Sequence, residues 1–305
     1  MGLKEKHTAG MVNVTMDALS QFNDTVAART SILARNGEGV NVWADVNGGK
    51  FEGKKVIEGA GYSSDIYAGV LGVDTTVACG AKIGAALTIG TADTDSKGNS
   101  AVTSMDTDLF GISVYTSKTF GDIWNVATDF GYMQASNEVT EKTYGLGKFD
   151  ADSDAFTFGI RGEVLTKAGA LDIVPHAGLR YTRVSVDTFE ASYVTDIDSM
   201  NVFQMPVGVT ICGELEASGW TIAPAFDLTF VPTWGDKDAD VTLGITGATA
   251  TDKGALRVLD SNLVQATLGV AAQNGAWTFG LDYKLGVGSD DRMNNSFNAR
   301  VNYAF

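Results

Sequence analysis

No run of apolar residues in this 305-residue chain approaches the roughly 18–20 that a membrane-spanning helix needs, so no segment reads as one. Histidine occurs twice, as His7 and His176, and no Ser/His/Asp set or cluster of metal-ligating residues assembles around either. Cysteine also occurs twice, as Cys79 and Cys212, too few for a disulfide framework. A basic stripe is missing: the net charge is −15, which argues against a nucleic-acid partner. The acid excess could hold divalent cations on an outer surface, but solvated loops are the simpler reading. Met1-Gly-Leu-Lys-Glu-Lys6 is basic, yet no apolar stretch follows it, so no signal peptide is visible.

What the chain has in abundance is glycine, 36 residues against 4 prolines, with a mean hydropathy near zero. That profile suits many strands joined by tight turns, and the length allows one large barrel or two ordinary domains. The average conceals a strict alternation. In the last eleven residues Phe297, Ala299, Val301, Tyr303 and Phe305 share one face, and Asn298, Arg300 and Asn302 the other. Trp277 to Val287 repeats this code against Asp282 and Lys284. So do Trp220 to Phe230 against Asp227, and Phe156 to Val164 against Arg161 and Glu163. Period two is a strand signature. A soluble sandwich would turn such mid-strand charges outward to water, whereas a membrane barrel turns them inward to a wet lumen and gives its apolar row to lipid.

Candidate strands run over Val40–Gly48, Asp65–Asp74, Lys82–Thr91, Asp108–Thr116, Ile123–Ala135, Ala155–Leu165, Asp172–Val186, Asn201–Ile211, Trp220–Val231, Leu263–Ala272, Trp277–Val287 and Asn295–Phe305, twelve in all. A tilted spanning strand takes about 9–11 residues, which most of these satisfy. Linkers alternate strictly between short ones such as Lys118 to Asp122 and long polar ones such as Ser136 to Asp154 and Pro232 to Asn262. One rim of short turns and one of long loops follows, and an even strand count lets the last strand close on the first. Cys79 and Cys212 fall in turns of the short rim six strands apart, so free thiols are expected.

Met11 to Leu33 has helical spacing instead, through Val12, Met16, Leu19, Val26 and Leu33, and ends at Arg35-Asn-Gly-Glu-Gly39. It carries too few basic residues for a surface anchor, so the barrel lumen is its expected home, with polar and small residues facing the wall. The expected division is a linker remnant over 1–10, a lumenal helix linking to a passenger over 11–36, and a barrel over 37–305. The fold class is all-β, a 12-stranded antiparallel transmembrane β-barrel with an N-terminal α-helix in its lumen.

Helix, then Asn36-Gly-Glu-Gly-Val-Asn-Val-Trp43, Pro175-His-Ala-Gly-Leu-Arg-Tyr181, Leu268-Gly-Val270 and the closing Val301-Asn-Tyr-Ala-Phe305, in that order and spacing, make nearly the whole chain resemble the C-terminal translocator domain of type V autotransporters. The resemblance implies an integral protein of the bacterial outer membrane, with long loops outside and the barrel termini at the periplasm. It implies a partner set of outer-membrane lipid, the barrel-assembly machinery and a covalently linked N-terminal passenger, which this chain lacks, and no cofactor or metal. An outer-membrane protein needs a signal peptide, so the chain is expected to be cut from a longer precursor. Tyr303 and Phe305 become the assembly signal, as well as interfacial aromatics. Some members cut their passenger free through an asparagine in the lumenal helix; Asn23 is the corresponding candidate. The family pattern has two adjacent asparagines there, while Phe22 and Asp24 flank a single one here, so a polar helix residue bonded to the wall is the favoured reading and no enzyme is expected. Asp129, Arg161, Glu163, His176, Arg180, Asp227, Asp282, Lys284 and Arg300 have inward parity and are expected to contact the helix or pair with one another. The rival readings are a porin-like channel, an outer-membrane barrel enzyme and a soluble sandwich.

Overall fold

The computed structural model describes residues 10–37, 39–57, 59–98, 103–141, 147–190, 194–244 and 251–305. His7 and, Gly10 apart, the linker remnant expected at 1–10 lie outside them. One helix, α1 (Met11–Thr30), precedes twelve barrel strands. These are β1 (Val40–Ile57), β2 (Ala60–Thr76), β3 (Ala81–Gly98), β4 (Thr103–Phe120), β5 (Trp124–Glu141), β6 (Ser153–Val164), β7 (Leu171–Val186), β8 (Met200–Gln204 and Val207–Cys212), β9 (Trp220–Gly235), β10 (Asn262–Asn274), β11 (Trp277–Gly288) and β12 (Arg292–Ala304). Each pairs antiparallel with its neighbours in sequence, and β12 closes on β1 from Asn41↔Ala304 to Gly53↔Arg292. β8 keeps one register on both sides of Met205-Pro206: Phe203 pairs with Tyr181 and Val207 with Ala177. Pro206 lacks the N–H that would carry the ladder through, so the strand divides there without slipping.

The alternation read from the sequence sets which way each strand faces. In β1, Val40, Val42 and Val46 are exposed on the outer wall while Asn41, Trp43, Asp45 and Asn47 are buried inside. Short turns at one rim use residues that tolerate positive φ: Gly121 and Asp122 both sit at 57°, Ser218 and Gly219 at 52° and 80°. Two successive positive φ values match the twist of flanking strands. Cys79 lies in another short turn, next to Gly80 at φ 78°; Cys212 is instead the buried last residue of β8, and both thiols are free.

The strands overrun the expected lengths, because ladder pairing continues past the apolar band. On the outer wall the band ends where Lys50, Asp65, Gln134 and Asp154 appear. Beyond it the long linkers expected as loops are hairpins: β1 and β2 stay paired to Gly53↔Tyr62, and β3 and β4 to Asp95↔Ser104. Backbone groups at that height still need partners, and a hairpin supplies them. The linkers after β7 and β9 build a separate sheet from Phe189–Glu190, Val194–Ile197, Asp238–Gly244 and Thr251–Arg257. Its buried face, Ile197, Val241, Leu243 and Leu256, joins the main hydrophobic core with Met11, Val12 and Val14 of α1.

Candidate functional site: a helix held against one wall of the lumen

The helix is not amphipathic in the manner its spacing suggested. From Met11 to Leu19 every residue is buried, polar ones included; from Ser20 onward the buried residues lie on one side. Enclosure on all sides comes from the hairpins and the outer sheet, which wrap the first half above the apolar band. Met11, Val12, Val14 and Leu19 are each at most 2% exposed, and burial of such a side chain contributes about 1.5–3 kcal/mol. In the second half the wall-facing residues are mixed, Gln21, Thr25, Arg29 and Thr30 beside Phe22 and Val26. The polar residues within the first half are all satisfied. Asn13 Nδ2 donates to Val258 O at 3.0 Å, Thr15 and Ser153 share a hydrogen bond of 2.7 Å, and Asp17 accepts from Tyr62 Oη at 2.6 Å and from the Arg292 guanidinium. Arg292 in turn donates to Val258 O at 2.6 Å. Nearby, burial pushes the Asp260 carboxyl above the usual carboxylate range, although the Asp290 N–H it accepts holds it back.

At the other end, the last turn of α1 meets β2 to β6. Arg29 forms a bidentate pair with Asp74 at 2.5 and 2.8 Å, with Asp74 fully buried. Tyr115 Oη donates to Asp74 at 2.8 Å and accepts from Trp43 Nε1 at 2.9 Å. Both rings lie over lumenal glycines: a Cβ at Gly72 would overlap Trp43, and one at Gly84 would overlap Tyr115. Asn125 and Lys82 donate to the Thr30 and Arg29 carbonyls at 2.9 and 3.2 Å, filling acceptors that a helix end leaves open. Glu163 then fixes the exit of the chain from the helix, accepting from Ile32 N at 2.6 Å and Ser31 Oγ at 3.0 Å. Helix structure stops at Thr30, short of the expected Leu33. Residues 31–37 continue across the short-turn opening, where Thr278 Oγ1 donates to Arg35 O at 3.2 Å and Arg35 pairs with Glu214 at 2.5 Å.

The inward charges named from parity sort into two groups. Arg161, Glu163 and Lys284 reach the helix segment: Arg161 donates to Ala27 O at 3.4 Å and pairs with Glu163 at 2.5 Å, and Lys284 pairs with Asp24 at 2.5 Å. The others pair along the wall. Arg180 grips Asp129 through two bonds of 2.8 Å, His176 Nε2 lies 2.7 Å from Asp227, and Arg300 pairs with Asp282. Asp227 also accepts from Thr210 at 2.8 Å and Thr229 at 2.6 Å. The Arg180–Asp129 pair lies flat over Gly159, where a Cβ would come within 2.5 Å of the guanidinium.

α1 packs against β3 to β7 and more lightly against β1 and β2. Between its second half and the remaining wall lies a cavity of about 380 Å³, lined by His176, Asp227, Thr267, Asp282 and Arg300. Asn23 is half-buried and lines the same cavity; among the described residues no hydrogen bond to its side chain is found. Also among the described residues, no three His, Cys, Asp or Glu side chains are grouped to hold a metal. Tyr303 and Phe305 project outward at the short-turn rim, rings 4.8 Å apart, with Trp277 4.8 Å from Tyr303.

Asp17, Arg29, Asp74 and Arg292 are the site residues that sequence reading passed over. Asp74 carried a usable signal, since it alternates with outward Leu71 and Val73; Arg292 lies beyond the apolar band, where alternation no longer distinguishes lipid from lumen.

Sequence comparison matches residues 42–284 to the model of the Autotransporter beta-domain family. No curated protein matches the chain. Among solved structures, the translocator domain of autotransporter NalP from Neisseria meningitidis superposes with a TM-score of 0.72 at 17% identity, covering 97% of this chain and 100% of that one. The transport unit of the autotransporter AIDA-I from Escherichia coli gives 0.71 at 12% identity over 94% and 98%, and the beta domain of the Bordetella autotransporter BrkA 0.67 at 14% over 88% and 100%. A closed barrel of twelve strands with a single helix inside, carrying the family's sequence pattern over most of its length, is an integral outer-membrane translocator of type V secretion, and this chain belongs to the autotransporter β-domain family.

Proposed function

We propose that the chain exports a passenger joined upstream of α1, and afterwards holds it at the cell surface with α1 left in the lumen. One observation carries the reading: the first half of α1 lies beyond the apolar band on the long-hairpin side, while its C-terminal end runs through residues 31–37 directly into β1 at the short-turn rim. A segment arranged this way has one end outside and the other at the periplasm. Arg161, Glu163 and Lys284 grip it, and Asp74 binds its Arg29. The outward apolar rows are solvated by outer-membrane lipid, and Tyr303 and Phe305 serve as the signal read by the assembly machinery. The barrel turns over no substrate. Asn23 acts as a polar helix residue beside the lumenal cavity; self-cleavage there would need a neighbouring group to activate its amide. An epitope placed upstream of Met1 tests export, and the expected outcome is digestion by protease added to intact cells; an epitope protected until lysis overturns the reading. For cleavage, intact masses of the chain with its native upstream segment and of its Asn23→Ala form are expected to show the same processing. A product that Asn23→Ala alone abolishes would assign Asn23 to the reaction.

A further inference from the structure

The second half of α1 does not fill the lumen. The cavity beside it begins at the short-turn rim, where Arg35, Asn36 and Thr278 line it, and rises past Asp227 and Asp282 to Thr229 and Gln265. Above that level the lumen is closed by Val231, Val258, Leu259 and Arg292, each 1–7% exposed; Val258 and Leu259 share one core with Met11, Val12, Val14 and Leu19, and Arg292 bonds Asp17. The outer sheet seats on the same residues through Val241, Leu243 and Leu256. Asp17 and Arg292 join the two parts: Arg292 binds the helix through Asp17 and the outer segment through Val258 O.

We propose that the permeability barrier of this barrel is the extracellular core, with Met11 to Leu19 as its keystone and Arg292 as its latch, and that the cavity below is a vestibule open to the periplasm. A barrier made by lumen filling needs matter across the whole section, and at Asp227 and Thr267 the section is occupied in part by the cavity. An apolar core excludes water and ions wherever it is continuous, and continuity is found above the apolar band. Removal of Met11 to Leu19 takes away the helical part of the core on which the outer sheet seats, although Ser20 to Thr30 still occupies mid-lumen. The inference rests on the outer-membrane placement of the barrel and not on what α1 carries.

Planar bilayers test it with three refolded chains: the parent, one lacking residues up to Leu19, and one lacking residues up to Leu33. The conductance of the shorter deletion is expected to rise at least fivefold over the parent and to come within twofold of the longer one. Parent-level conductance in the shorter deletion, with a rise only when Ser20 to Leu33 is also gone, overturns the proposal. A second measurement spares the helix. With Cys79 and Cys212 replaced by Ser, a Thr267→Cys thiol in intact cells is expected to resist a membrane-impermeant maleimide added outside. In the Arg292→Gln form it labels at least tenfold faster, with Arg292→Lys restoring protection. Rapid outside labelling without the Arg292 change, or continued protection in Arg292→Gln, overturns the latch.

Discussion

The two walls of the lumen are built on different terms. Strands β2 to β5 run unbroken ladders of fifteen or more residue pairs, as in Ala60↔Gly98 to Thr76↔Lys82, and share the packing of α1 with β6 and β7. Strands β7 to β9 contain every proline of the chain, Pro175, Pro206, Pro224 and Pro232, and face the cavity with ion pairs that water can reach. Each proline removes one ladder donor. The difference teaches that a closed barrel need not be uniformly rigid. The wall that binds the helix is continuous, and the wall opposite is satisfied mainly by its own side chains.

The sharpest way to break this comparison is to remove one partner of a buried pair on the helix wall. Asp74→Ala leaves Arg29 buried without its counter-charge and is expected to lower stability by about 3–5 kcal/mol. The check is the midpoint of urea unfolding in detergent micelles. Replacing both Arg29 and Asp74 by Leu should recover most of that loss, since paired removal leaves no stranded charge. Leu19→Ala, in the enclosed half of α1, is expected to cost about 2–5 kcal/mol by the same assay.

Beside the cavity the same operation should matter less. Asp129→Ala removes from β5 the partner of Arg180 on β7, a guanidinium already 17% exposed in the intact pair and still 3.0 Å from Thr157, with an expected loss of about 1 kcal/mol. A loss equal to that of Asp74→Ala would erase the distinction between the walls. Lys284→Ala is expected to be smaller still, about 0.2–1 kcal/mol, because Asp24 is 42% exposed. Amide exchange offers a readout without mutation. Protection in β7 to β9 around Pro206 and Pro224 should fall below that of β2 to β4; equal protection would show that the missing donors have no dynamic consequence.

Much of this was legible before folding. Alternation across Trp277 to Val287 and Asn295 to Phe305 placed Asp282, Lys284 and Arg300 inside, and all three line the lumen. The linker lengths gave two unlike rims. What failed has a common cause. The long polar linkers read as loops because a strand that faces water on its outer side and a protein core on its inner side has no lipid-length apolar row. The helical spacing of Val12, Met16 and Leu19 points to a one-sided helix because spacing does not reveal that Asn13, Thr15 and Asp17 are enclosed as fully as Val14.

By itself the sequence determined the strands, their facing and the short turns, because period two and positive-φ residues act within a few residues of chain. Tertiary structure alone decided which charges meet. Arg29 finds Asp74 across 45 residues, Arg180 finds Asp129 across 51, and Arg292 finds Asp17 across 275. Those encounters depend on strand register around the closed barrel and on which wall the helix lies against, and neither is encoded in any local pattern.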